Sequence, residues 1–115
     1  MKILKCSESL SLMDRYNLTR NPETERMKNH VGERLHIDAY MVRQEERDDT
    51  GEIATITSIK SGEKVYATNS PTFARELLAI VALADECGET VGAIEVIEGM
   101  SNKGRPYVSC KYVEG

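Results

Sequence analysis

The sequence predicts a mainly β domain with helices (α+β): a five-stranded barrel with one helix between strands three and four, preceded by a helical N-terminal arm. Three observations carry that expectation. The hydrophobic period is two from Arg34 to Thr68, lengthens to that of a helix across "SPTFARELLAIVALADE", and returns to two beyond Gly92. Turn signals, Thr50-Gly51, "SGE" and "SNKG", separate the periodic stretches. The 115 residues, 40% hydrophobic and 30% charged, suit one folded core and not two.

The arm is assigned to residues 1–32 and the barrel to 33–115. Within the arm, Leu10, Met13 and Leu18 fall at helical spacing. Asn21 can cap a second helix, with Pro22 at its first position and Glu23 and Glu25 in its first turn. Two short helices or a loose arm are expected, with too few apolar positions for an independent core, so the arm is assigned to self-association in a homo-oligomer or to cooperative binding. "RLHIDAYMVRQ" then alternates Leu35, Ile37, Ala39 and Met41 against His36, Asp38, Tyr40 and Val42 as the first strand. "EIATITSIK", rich in β-branched residues, and "KVYAT" follow as the second and third strands of a meander. The helix runs from Ser70 to about Glu86, with Ser70 as N-cap, Pro71 at its first position and Gly88 past its end. Phe73, Leu77, Ile80, Val81 and Ala84 form its apolar face. "VGAIEVIEGM" and "RPYVSCKYV" are the fourth and fifth strands.

Several classes of function fit poorly. The longest apolar run, Leu77 to Ala84, is too short to cross a bilayer, and the N-terminus lacks the apolar stretch of a secretory signal, so a cytoplasmic protein without membrane contact is expected. The three cysteines, Cys6, Cys87 and Cys110, have no paired spacing, and His30 and His36 have no cysteine pair nearby. They are taken as reduced thiols and surface histidines, with no metal and no cofactor. Ser109 and Cys110 have no neighbouring histidine, and "GMSNKG" lies between strands instead of opening a helix, so no catalytic residue is assigned and the chain is not expected to be an enzyme.

Charge points instead to binding. "EERDDTGE", Glu45 to Glu52, holds five of the 19 acidic residues, and outside it acidic and basic residues are equal in number. An acidic total therefore does not forbid a local anion site. Three strands, a helix and two strands is the order of the oligonucleotide/oligosaccharide-binding (OB) barrel, in which a strand of nucleic acid lies over strands two and three and between the loops joining strands one to two and four to five. "GMSNKGRPYVSCKYV" supplies that last loop. Lys103 and Arg105 would reach phosphates, Gly99 and Gly104 would let the tip take positive φ, and Tyr107 would stack a base. On strand three Lys64, Tyr66 and Thr68 share a face, which makes Tyr66 a second stacking candidate. Lys60, Lys64 and Lys111 complete the basic set.

The run from Arg34 to Val113 resembles the small single-stranded-DNA-binding proteins of phages, especially those serving protein-primed replication in Bacillus phages. "VYATNSPTFARELL" and "IEVIEGMSNKGRPYVSCKYV" carry the resemblance. It implies a cytoplasmic, OB-fold protein that coats displaced strands during replication, recombination or repair. By motif position the role passes to Tyr66, Lys103, Gly104 and Tyr107. Unlike bacterial single-strand-binding proteins, this chain ends "KYVEG", with no glycine-rich linker or acidic tail.

Two other classes stay open on the sequence. One is a protein-interaction module, a phage-encoded adaptor whose contact is the acidic 45–52 loop. The other is a small nuclease or hydrolase, which would need carboxylates gathered in a cleft.

Overall fold

The computed structural model describes residues 1–114. In chain order the elements are β1 (Lys2–Cys6), α1 (Leu12–Thr19), β2 (Glu25–Arg26), a 3-10 turn (Met27–His30), β3 (Arg34–His36), β4 (Ala39–Glu46), β5 (Ile53–Ser61), β6 (Lys64–Thr68), α2 (Pro71–Cys87), β7 (Ala93–Met100) and β8 (Pro106–Val113). The fold is α+β and mostly strand. Its strands form two sheets, ordered β1-β4-β5-β6-β2 and β3-β7-β8, and hydrogen-bonded pairing does not close them into one barrel.

The expected first strand is interrupted, and the interruption joins the sheets. β3 pairs with β7 in one sheet and β4 with β5 in the other, with only Ile37 and Asp38 between them. The Ile37 N–H donates to the Gly92 carbonyl (2.9 Å) ahead of β7, and the Asp38 N–H donates to the Lys60 carbonyl (2.9 Å) on β5. Asp38 Oδ2 also accepts the Gly62 N–H at 2.6 Å, which fixes the bend against the β5–β6 turn. This bend corrects the expected alternation. Leu35 and Val42 enter the main core, whereas Ala39 and Met41 pack with Leu18 in a second cluster on the other side of β4.

α2 forms where its signals place it. Ser70 Oγ accepts the Phe73 N–H, Pro71 opens the first turn, and Gly88 ends the helix in the left-handed region at φ 70°. α2 packs on β8 and β5, and its Phe73, Leu77 and Val81 are buried in one core cluster with Ile59, Ile94, Val96, Val108 and Cys110. Full burial of such side chains contributes about 1.5–3 kcal/mol each before the entropy of ordering them.

The N-terminal segment is not a loose arm. β1 is an edge strand paired antiparallel with β4, and α1 is closed by a capping box between Ser11 and Asp14. Leu18 is buried at 2% exposure, and the Arg43 guanidinium donates to the Leu18 carbonyl (2.9 Å) and Ser58 Oγ (3.0 Å), tying α1 to the outer face of the sheet. The second helix expected from Pro22 does not form. Asn21 Oδ1 accepts the Glu23 N–H at 2.8 Å in a tight turn, after which Glu25 and Arg26 pair in parallel with Tyr66 and Ala67 of β6.

Candidate nucleic-acid interface

The shared run β3–β4 joins the sheets along one side; on the other, β2 and β6 face β8 across a seam with no ladder. Ser70 bridges it, its hydroxyl donating to the Val108 carbonyl at 2.6 Å. A groove of about 840 Å³ opens along this seam, within the usual size of ligand-binding clefts. Arg26, Lys28 and Asn29 line it from β2 and the 3-10 turn, Asn69 and Pro71 from the start of α2, and Glu98 and Tyr107 from the β7–β8 hairpin. Glu98 pairs with Val108 and Tyr107 with Gly99, so these two side chains leave opposite faces of the ladder.

Tyr107 holds its place because of Gly99, its cross-strand partner in the β7–β8 ladder. A Cβ at Gly99 would come within 2.7 Å of Tyr107 Cε2 and closer still to Cζ. The ring therefore fills the space that any other residue at 99 would occupy. Positive φ was expected at both glycines of the loop; Gly104 has it, at 76°, whereas Gly99 does not and serves instead the close approach of an aromatic ring. Beyond Tyr107, the loop between β7 and β8 is closed by the Gly104 N–H on the Ser101 carbonyl (2.9 Å) and the Arg105 N–H on Ser101 Oγ (3.1 Å). Lys103 and Arg105 are exposed on it and join no ion pair among the described residues.

The other expected site residues are dispersed. Tyr66 is 6% exposed and lies in the main core, so it offers no open stacking face. Its sheet face is covered by the 3-10 turn, where Met27 is fully buried and the His30 ring meets Tyr66 edge-on with centroids 4.8 Å apart. His30 is accordingly no surface histidine: Glu25 Oε1 lies 2.8 Å from one ring nitrogen and Glu33 Oε2 2.7 Å from the other. Lys60 donates to the Gly62 carbonyl at 2.9 Å, Lys64 pairs with Glu25 at 3.6 Å, and Lys111 pairs with Glu95 at 3.6 Å. None of these three lysines lines the groove. The structure thus keeps Tyr107 at the groove and Lys103, Gly104 and Arg105 on the adjoining loop.

Arg26, Lys28 and Asn29 were not expected at the site. Arg26 and Lys28 are exposed and in no ion pair among the described residues, and they flank the buried Met27. The pattern "RMK", an apolar anchor between two cations, was the available signal. No group of three or more metal-ligating side chains occurs among the described residues. Comparison with protein-family models, with characterised proteins and with solved structures finds no match to this chain.

Proposed function

We propose that this protein binds single-stranded DNA without strong sequence preference, coating strands during phage DNA replication or recombination in the host cytoplasm, and that it does no catalysis. The observation that carries this reading is Tyr107 seated on Gly99 in the lining of the seam groove, with Arg105 and Lys103 of the basic tip two and four residues before it. An aromatic ring fixed at a groove, beside cations that have no carboxylate partner among the described residues, suits base stacking with phosphate neutralisation, and neither contact depends on base identity. The OB-type barrel belongs to the same proposal. The continuous path of β3 into β4 supports it, as does the order of the three-strand meander, α2 and the β7–β8 hairpin, with the barrel left open at the seam.

Paired substitution Lys103→Ala with Arg105→Ala tests the reading. Binding to oligothymidine should weaken, and the salt dependence should become shallower by roughly 0.7 per lost phosphate contact. An unchanged affinity and slope in the folded variant would remove the loop from the site.

Self-association is a second element of the proposal, and α1 favours it. Leu12, Met13 and Tyr16 lie on one side of that helix at 86%, 65% and 46% exposure. A second copy of the chain would cover this face. Sedimentation of the parent protein beside a Leu12→Ser, Met13→Ser variant should show loss of the larger species, whereas a monomeric parent at high concentration would refute the assignment.

A further inference from the structure

We propose that the N-terminal segment supplies the second phosphate-binding wall of the site, so that the strand crosses the seam from the Lys103–Arg105 tip, over Tyr107, to Arg26 and Lys28. This rests on the single-strand reading and specifies its path. Arg26 and Lys28 line the same groove as Tyr107 and reach it from β2 and the 3-10 turn instead of from the β7–β8 hairpin. Their backbone is held from three directions. Arg26 pairs with Ala67 of β6, Met27 is fully buried in the main core, and His30 is clamped between Glu25 and Glu33. A fixed backbone leaves only side-chain freedom to be lost on meeting an anion, and neither cation joins an ion pair among the described residues.

The groove between these walls has the chemistry of a nucleobase site. Asn29 and Asn69 line it, and their side-chain amides make no hydrogen bond within the protein among the described residues. Each amide offers donor and acceptor together and so can meet the edge of any base. Tyr107 offers the stacking surface. Glu98 is the opposing charge in the lining and disfavours a phosphate beside it, which leaves the phosphates to Arg26 and Lys28 on one side and to the Lys103–Arg105 tip on the other.

The test compares Arg26→Gln with Lys28→Gln against the parent and against Lys103→Ala with Arg105→Ala, by titrating a short labelled oligothymidine across a salt series, with thermal melting of each protein alongside. The Arg26/Lys28 double variant should melt like the parent and bind more weakly, its salt slope shallower by about 1.4 for two lost contacts. If the double variant melts early, the single variants each carry half the expected slope change and decide the matter. Parent-like affinity and slope in folded Arg26 and Lys28 variants, with binding still sensitive to the loop pair, would overturn this proposal and leave the single-strand reading standing. Absence of binding by the parent at low salt would overturn both.

Discussion

The Tyr107 ring occupies the volume that a side chain on Gly99 would need, across one rung of the β7–β8 ladder. An aromatic side chain in that position is held by a vacancy opposite it, so its orientation depends on the absence of a single methyl group. Gly99→Ala should displace Tyr107 while leaving the fold intact, because alanine suits a strand better than glycine does. Oligonucleotide affinity should fall for Gly99→Ala and for Tyr107→Leu alike, by about 1–3 kcal/mol for a lost stack. The double variant should lose little more than either single one. Additive losses in fluorescence titrations would show that the two residues act separately.

Glu98 is the one acidic residue in the groove lining among the described residues. Glu98→Gln removes the carboxylate from the groove lining and should strengthen binding by up to about fivefold, the factor that corresponds to about 1 kcal/mol between unit charges near 4 Å in water. The gain should fade as salt rises. Titration at low and at physiological ionic strength checks both statements.

Removing residues 1–32 should unfold the protein instead of yielding a monomeric binding domain. Leu18 and Met27 are buried in two different clusters, and β1 pairs along β4. Met27→Ala alone should cost about 2–5 kcal/mol, read from the urea midpoint. A truncated protein with a cooperative melt near that of the parent would contradict this.

Alkali should destabilise the fold. Burial pushes the Tyr40 hydroxyl up to about 12, with Asp85, Cys6 and Glu8 adding to the rise, and burial pushes the Cys110 thiol up to about 12, with Glu76 adding. Both groups stay protonated when folded and ionise near 9–10 when unfolded. The unfolded chain therefore releases protons first, and stability present below about pH 9 is lost progressively towards pH 12. Urea midpoints measured from pH 8 to 11 should decline, and Cys110→Val should reduce that decline. At pH 8 a thiol reagent should modify exposed Cys87 quickly and leave Cys110 untouched.

How far the sequence foretold this structure depends on whether the deciding contact is local. β5, β6, α2, β7 and β8 stand close to where alternation, turn residues and the Ser70 and Gly88 caps put them, since each of those signals acts within a few residues. The bend at Asp38 was illegible because the Gly62 N–H that holds it comes from a later turn. β2 was missed because two residues pairing in parallel with a distant strand leave no periodicity. That omission hid both the burial of Tyr66 and the arrival of Arg26 and Lys28 at the groove. Tyr107 and the basic tip were visible as an aromatic strand beside a glycine-bracketed loop, while the true task of Gly99 depends on its cross-strand partner.

In the proposed complex a single strand of DNA lies in the seam groove against Tyr107. Equilibrium titration of labelled oligothymidine with the parent protein and with Tyr107→Leu, at two salt concentrations, tests it most directly. Binding by the parent should saturate and weaken steeply with salt, and the variant should lose about 1–3 kcal/mol with the salt slope nearly unchanged. Parent-like binding by a folded Tyr107→Leu protein, or no binding by the parent at low salt, would contradict it.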